Sequence, residues 1–250
     1  MAILSRKPRR YIMEIKEVII KEMIIVTDGE SNVGGNPVVA AKEALEKGIV
    51  VNTIGIVEQG KHKENSLVEI VEIAESGGGM YEYTYIEDLC QTLQSITYKT
   101  VNQTLQDTVN KQLREIMGQD LDAMTPDSRS KFLQYIDKFS DEVALKCCIL
   151  LDVSGSMSNK IFSARHSILD LITSFKGRKG KVNLAVMTYP GEGGEHYKLI
   201  HNFGDNAADL EGKLYDIKTR GTTPTAPAIY YGIELMEDKK EDLELEDAYS

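Results

Sequence analysis

Short apolar runs and amphipathic stretches alternate along this chain with a regular rhythm. Met23, Ile24, Ile25 and Val26 form an uninterrupted β-branched run, the pattern of a strand buried on both faces. Asn36 and Pro37 then open a helix, with Asn as cap and Pro at the first helical position. Ala40, Ala41, Ala44 and Leu45 give that helix its apolar stripe, and Gly48 stops it. Residues 50–57 read as the next strand. A helix follows in which Leu67, Ile70, Val71, Ile73 and Ala74 recur near the 3.6-residue period, ending at Gly77, Gly78 and Gly79. Residues 80–85 are a third strand with alternating tyrosines. Glu87 and Asp88 then place carboxylates in the first turn of another helix, where the helix dipole favours them.

A complementary set begins after residue 145. Residues 147–151 are a buried strand, and residues 161–175 a helix with Ile161, Ile168, Leu169 and Ile172 on one face. Residues 182–189 are a strand, and the Gly-rich loop 191–195 is too short for a crossover. Residues 197–203 therefore return antiparallel. Helices are expected over 206–218 and 224–236. Between the two sets, residues 98–143 are helical and polar: Leu105, Val109, Leu113 and Ile116 make a narrow stripe. Thr125, Pro126 and Asp127 start a second helix carrying Phe132, Leu133, Ile136 and Phe139. The resulting division is an N-terminal tail (1–22), a first strand–helix segment (23–98), a helical connector (99–144), a second segment (145–236) and an acidic tail (237–250). Strands alternating with helices indicate an α/β fold.

Composition narrows the function classes. With 250 residues, 42% of them hydrophobic, the chain can bury one sizeable core plus an accessory segment. A net charge of −10 argues against a general nucleic-acid binder, which carries a basic stripe. No apolar run approaches the roughly 20 residues that cross a bilayer. Arg6, Lys7, Arg9 and Arg10 are not followed by an apolar segment before Glu14 and Lys16, so no secretory signal is expected and the protein is placed in the cytoplasm. Cys90, Cys147 and Cys148 form no paired framework and read as reduced. Both tails are expected to fray, and Met13 is a second candidate start.

The chemistry sits at the ends of the apolar runs. One strand leads into Asp152-Val153-Ser154-Gly155-Ser156, a D-x-S-x-S loop. The run from Met23 leads into Thr27-Asp28-Gly29, and Gly221-Thr222-Thr223-Pro224-Thr225 supplies a Thr-rich turn. Together these resemble the metal-ion-dependent adhesion site of von Willebrand factor A domains. The resemblance implies a doubly wound, Rossmann-like sheet of five parallel strands and one antiparallel edge strand, each of which occurs here once. In that family the D-x-S-x-S loop comes first, then the Thr loop, then the aspartate strand. Here the aspartate strand leads, which implies a circular permutation whose connector ties together the family's former termini.

The resemblance further implies a Mg²⁺ site, with Mn²⁺ as substitute, held by Asp152, Ser154, Ser156, Thr223 and Asp28. Thr223 is preferred to Thr222 because Thr223-Pro224-Thr225-Ala226-Pro227 fits the family loop better. Hydroxyl and carboxylate oxygens are hard ligands suited to such an ion. Two carboxylates would leave it formally neutral, ready for an Asp or Glu from a protein partner, with Glu30 and Asn32 nearby to contact that partner. The permuted layout is similar to small cytosolic proteins of spore-forming Gram-positive bacteria, which implies a role in sporulation. The leading expectation is therefore a non-enzymatic, Mg²⁺-dependent protein-binding module. The alternatives are a substrate-presenting subunit of an AAA-type ATPase complex, or a domain-swapped homodimer whose purpose is assembly.

Rival chemistries fit poorly. An EF-hand loop from Asp152 would need a carboxylate where Ser163 stands. Gly177-Arg178-Lys179-Gly180-Lys181 lacks phosphate-loop spacing, and no G-x-S-x-G elbow is present. His62, His166, His196 and His201 show no zinc spacing. For the site residues themselves, the plain alternatives are that Ser154 and Ser156 cap the following helix and that Asp28-Gly29 is an ordinary turn.

Overall fold

The computed structural model describes residues 18–58 and 64–237. The tails at 1–17 and 238–250, the loop holding His62, and the side chain of Leu67 lie outside the described residues. In chain order the first elements are β1 (Ile19–Thr27), α1 (Pro37–Glu46), β2 (Ile49–Ile56), α2 (Glu64–Ser76) and β3 (Gly78–Thr84). Two long helices follow, α3 (Leu89–Met117) and α4 (Pro126–Ser140). The last group is β4 (Ala144–Asp152), α5 (Ile161–Phe175), β5 (Val182–Tyr189), β6 (Lys198–His201), α6 (Ala207–Tyr215) and α7 (Thr225–Met236).

Among the described residues the strands form one six-stranded sheet in the order β3-β2-β1-β4-β5-β6. Only the β5–β6 pair is antiparallel, and it lies at an edge. This is the α/β sheet of five parallel strands and one antiparallel edge strand expected above. Its two central strands come from opposite halves of the chain, so β1 and β4 have neighbours on both sides and helices on both faces. That is why their sequences are almost continuously apolar, with every residue of β4 buried.

Side chains alternate between the two faces as the strand period requires. Ile24, Val26, Ile149 and Leu151 pack with Leu93 and Ile96 of α3 and with Ile168 and Leu171 of α5. Met23, Ile25, Cys148 and Leu150 pack on the other face with Ala40 and Ala41 of α1, Ile73 of α2, and Ile229 and Ile233 of α7. The N-terminus of α1 is built as expected, with Asn36 Oδ1 accepting from the Val38 amide at 2.8 Å.

Two segment boundaries differ from the sequence reading. β1 begins at Ile19, inside the expected tail. Lys21 and Glu22 hide this start by interrupting the apolar run, but both charges are accommodated. Lys21 Nζ reaches the Met236 carbonyl at 3.4 Å, and Glu22 Oε1 accepts from Asn52 Nδ2 at 2.7 Å beneath α3. The expected break at residue 98 falls inside α3, which runs unbroken for 29 residues. Its stripe Leu93, Ile96, Val101, Leu105, Val109 and Leu113 stays buried throughout, so no packing change marks the connector. Ile116, expected on that stripe, is exposed. Among the described residues, no helix is long and apolar enough to cross a membrane.

Candidate functional site

Register brings the candidate residues together. Val26 of β1 is paired with Leu151 of β4, so the two strands end side by side, at the carboxyl edge where doubly wound sheets place ligands. Asp152, the last residue of β4, has no exposed surface. Its Oδ2 accepts from the Thr27 hydroxyl at 2.6 Å and its Oδ1 from the Ser154 amide at 2.7 Å. Burial pushes this carboxyl up to about 6, with the charge of Asp28 adding to the shift, while the bonds from Thr27 and Ser154 oppose it.

From Asp152 the loop turns through a short 3₁₀ segment, Gly155–Asn159, before α5 begins. Ser154 stands at its N-terminus without capping it through the side chain. Instead the Ser154 and Ser156 hydroxyls touch at 3.0 Å, and Ser156 donates to Asp28 Oδ1 at 2.6 Å. A hydroxyl has one proton. With that of Ser156 committed to Asp28, Ser154 must be the donor in the serine pair. The result is a relay running Ser154 to Ser156 to Asp28 that leaves oxygen lone pairs for another electrophile. Capping of the following helix is therefore not what these serines do, and Asp28 is engaged well beyond an ordinary turn.

Thr223 arrives from a third loop. Its amide donates to Asn32 Oδ1 at 2.9 Å, and its carbonyl accepts from the Asn32 amide and the Ser31 hydroxyl, each at 3.2 Å. The backbone holds the loop, so the side-chain hydroxyl is not spent on doing so. Asn32 thus joins two loops, whereas Glu30 is exposed on the rim. Ser31 is fixed in turn by Glu69 Oε2, which accepts from its amide at 2.6 Å. Gly34, at φ +93°, passes so close to Pro227 that a Cβ there would meet its Cγ at 2.5 Å, which fixes that loop against the start of α7. Gly29, Glu30, Ser31, Asn32, Ser154, Ser156 and Thr223 line an open cleft of about 460 Å³.

Four contributors were not among the expected ligands, and of these only Thr27 lies in a motif. Thr27 holds Asp152. The Tyr189 hydroxyl, beside Asp152 in register, is fully buried and makes no hydrogen bond. Burial holds this phenol well above its ordinary value, and the Asp152 charge adds to the shift. Lys160 Nζ binds Asp28 Oδ2 at 2.5 Å and Glu58 Oε1 at 2.6 Å. Burial alone would lower this ammonium, but its bonds and charge contacts with Asp28 and Glu58 together raise it. Only the strand order β2-β1-β4 brings Glu58, Asp28 and Lys160 to one place, so a local motif could not have found them. His166 lies elsewhere, its Nδ1 at 2.9 Å from the Phe162 carbonyl and its ring against Phe162 and Tyr215.

The donor set fits a small, hard dication. Every group facing the cleft from these loops offers oxygen, and the buried Asp152 carboxylate is the charge such an ion would compensate. Among the described residues, no group of three or more His, Cys, Asp or Glu side chains could hold a metal. Any cation here must rely on hydroxyls supported by two carboxylates.

Comparison with known proteins bears on this arrangement. The family model for the von Willebrand factor type A domain matches residues 9–99 and 148–244. The uncharacterised protein YabS of Bacillus subtilis (strain 168) is 34% identical over 212 residues, 84% of this chain and 86% of that protein. YwmC of the same organism, also uncharacterised, is 39% identical over 67 residues, 27% of this chain and 28% of its own. The crystal structure of an uncharacterised protein from Alicyclobacillus acidocaldarius subsp. acidocaldarius DSM 446 superposes with a TM-score of 0.85 at 38% identity, covering 92% of this chain and 99% of the other.

Proposed function

Because this chain belongs to the von Willebrand factor type A family, we propose that it is a non-enzymatic module that binds an acidic side chain of a protein partner at a Mg²⁺ or Mn²⁺ site. The observation that carries this reading is the Asp152–Ser154–Ser156–Asp28 relay, open to the cleft and faced by Thr223 from another loop. Ser154, Ser156 and Thr223 would hold the ion through their hydroxyls, with Asp152 and Asp28 supplying negative charge from behind. When bound, the ion would act as a Lewis acid that accepts one carboxylate oxygen from outside. Thr27 fixes Asp152, Asn32 locks the Thr loop, and Glu30 on the rim would meet the partner's neighbouring residues.

The same proposal reads the segment order as a circular permutation. The strand bearing Asp28 precedes the strand bearing Asp152, and α3 and α4 span the interval left unmatched between the two family segments. Cytoplasmic location and a part in sporulation belong to the proposal as well, from resemblance to proteins of spore-forming bacteria.

Thermal unfolding with and without Mg²⁺ and Mn²⁺, on wild type and Asp152→Ala in parallel, tests the site. A ligand at a hundred times its dissociation constant stabilises by about 2.7 kcal/mol, which for a domain of this size moves Tm by about 5–10 °C. The shift is expected in wild type and absent in a folded Asp152→Ala variant. No shift in wild type with either ion overturns the cation reading.

A further inference from the structure

The Asp28 carboxylate is engaged on both sides, by Ser156 at Oδ1 and by Lys160 at Oδ2. Lys160 is only 7% exposed, and its three ammonium protons have three acceptors: Asp28 at 2.5 Å, Glu58 at 2.6 Å and the Ser156 carbonyl at 3.3 Å. A buried lysine is a costly way to steady one carboxylate, since its charge must be stripped of water. A neutral amide could hold Asp28 by hydrogen bonding alone. What only a cationic side chain adds is a fixed positive charge one carboxylate away from the ring of hydroxyls.

We propose, resting on the cation reading above, that Lys160 is a built-in counter-charge that sets the site's ligand preference: it loosens the hold on the divalent cation and strengthens the loaded site's grip on an outside carboxylate. The formal charges show why. Asp152, Asp28 and Glu58 carry three negative charges and Lys160 one positive. With a dication in place the cluster is neutral when Lys160 is present and carries one net negative charge without it. An incoming carboxylate passes Glu30 on the rim in either case, but meets one negative charge fewer at the centre in the first. The dication is held against a neighbouring positive charge in the first case and freed from it in the second. Lys160 thus acts through Asp28 as a positioning residue that exchanges cation affinity for carboxylate affinity.

A purely structural role would make its loss weaken everything, whereas counter-charge makes two affinities move in opposite directions. Calorimetric titration of MnCl₂ into the full chain, Lys160→Gln and Lys160→Arg is the first measurement. The second is titration of N-acetylglutamate into each Mn²⁺-loaded protein, followed by water-proton relaxation. Lys160→Gln is expected to bind Mn²⁺ about tenfold more tightly, the scale of a nearby charge after screening, and to hold N-acetylglutamate several-fold more weakly. Lys160→Arg should stay near wild type.

Glu58→Gln, at a partly exposed position, covers the case in which Lys160→Gln fails to fold. Removing that negative charge should weaken Mn²⁺ binding several-fold, and no change overturns the proposal. Equal or weaker Mn²⁺ binding by a folded Lys160→Gln overturns it while leaving the cation site standing. Absence of Mn²⁺ binding in wild type, Lys160→Gln and Lys160→Arg together overturns the cation reading, and this inference with it.

Discussion

Asp152 and Glu22 occupy neighbouring central strands, neither has exposed surface, and burial pushes their carboxyls up to about 6 and about 7. Their surroundings separate them. Asp152 ends its strand, has both oxygens hydrogen-bonded and faces loops that open to a solvent cleft. Glu22 lies mid-strand under α3. Only its Oε1 is bonded, by Asn52, whose amide also donates to the Thr100 hydroxyl at 2.9 Å, while Glu22 Oε2 has no partner. The same desolvation therefore has two outlets. In the proposed reading Asp152 is relieved by an ion arriving from solvent, whereas Glu22 is roofed by a helix, and its neighbours Thr97, Asn52 and Thr100 offset its burial only in part, so it keeps a proton.

The largest effect expected from this contrast is at Glu22. Its folded carboxyl titrates near 7 against about 4.5 ordinarily, so the fold holds a proton that the unfolded chain releases. Stability from this group is greatest below pH 4.5 and falls as pH rises through 7, by about 3 kcal/mol in all. Glu22→Gln removes that slope. Urea unfolding should find the variant equal to wild type near pH 4.5 and about 3 kcal/mol more stable at pH 8, with its Mg²⁺-dependent Tm shift intact. Loss of the ion response in Glu22→Gln would break the separation between the two regions.

The two regions were also unequally legible in the sequence. Asp152, Ser154, Ser156, Asp28 and Thr223 could be found because each lies in a short motif at the end of an apolar run, and the structure gathers all five at one sheet edge. The strands themselves were readable because burial on both faces demands unbroken apolar residues, as in β4. Glu22 and Lys21 defeated that logic: a charge inside a strand looks like its boundary until the partner that accommodates it is known. Asn52, that partner, is distant in sequence. Lys160 and Glu58 were hidden for the same reason, since their meeting depends on which strands are neighbours. The break expected at residue 98 failed differently, because the apolar stripe of α3 continues without change from the sheet into the helical hairpin.

A matched pair of smaller substitutions sharpens the contrast. Thr27→Val removes the bond to Asp152 Oδ2, and Thr100→Val removes an acceptor from the Asn52 network, with little change of shape at either. Each should cost about 1–2 kcal/mol in urea unfolding, the usual scale for a buried polar group left without its partner. Only Thr27→Val should also weaken Mn²⁺ binding, several-fold by calorimetry, because only Asp152 lies directly behind Ser154 of the cleft. Equal Mn²⁺ affinities in the two variants would mean that the Thr27 bond serves the fold alone.

The smallest effect separates two ways of leaving a polar atom unpaired. Glu22 Oε2 and the Tyr189 hydroxyl are both buried without a partner. A carboxylate answers that situation by taking a proton, but a phenol already carries one, and burial together with the Asp152 charge keeps it there. Deleting the Tyr189 hydroxyl therefore removes a desolvated group whose nearest polar neighbours, Thr27 and Thr225, lie outside good hydrogen-bond geometry. Tyr189→Phe should be neutral or stabilising by less than about 1 kcal/mol in urea unfolding, with Mn²⁺ affinity unchanged. A loss above about 1 kcal/mol, or weaker Mn²⁺ binding, would show that the hydroxyl supports Asp152 by way of its neighbour Thr27. Tyr189 would then belong with Thr27, as part of the frame that holds the carboxylate toward the cleft.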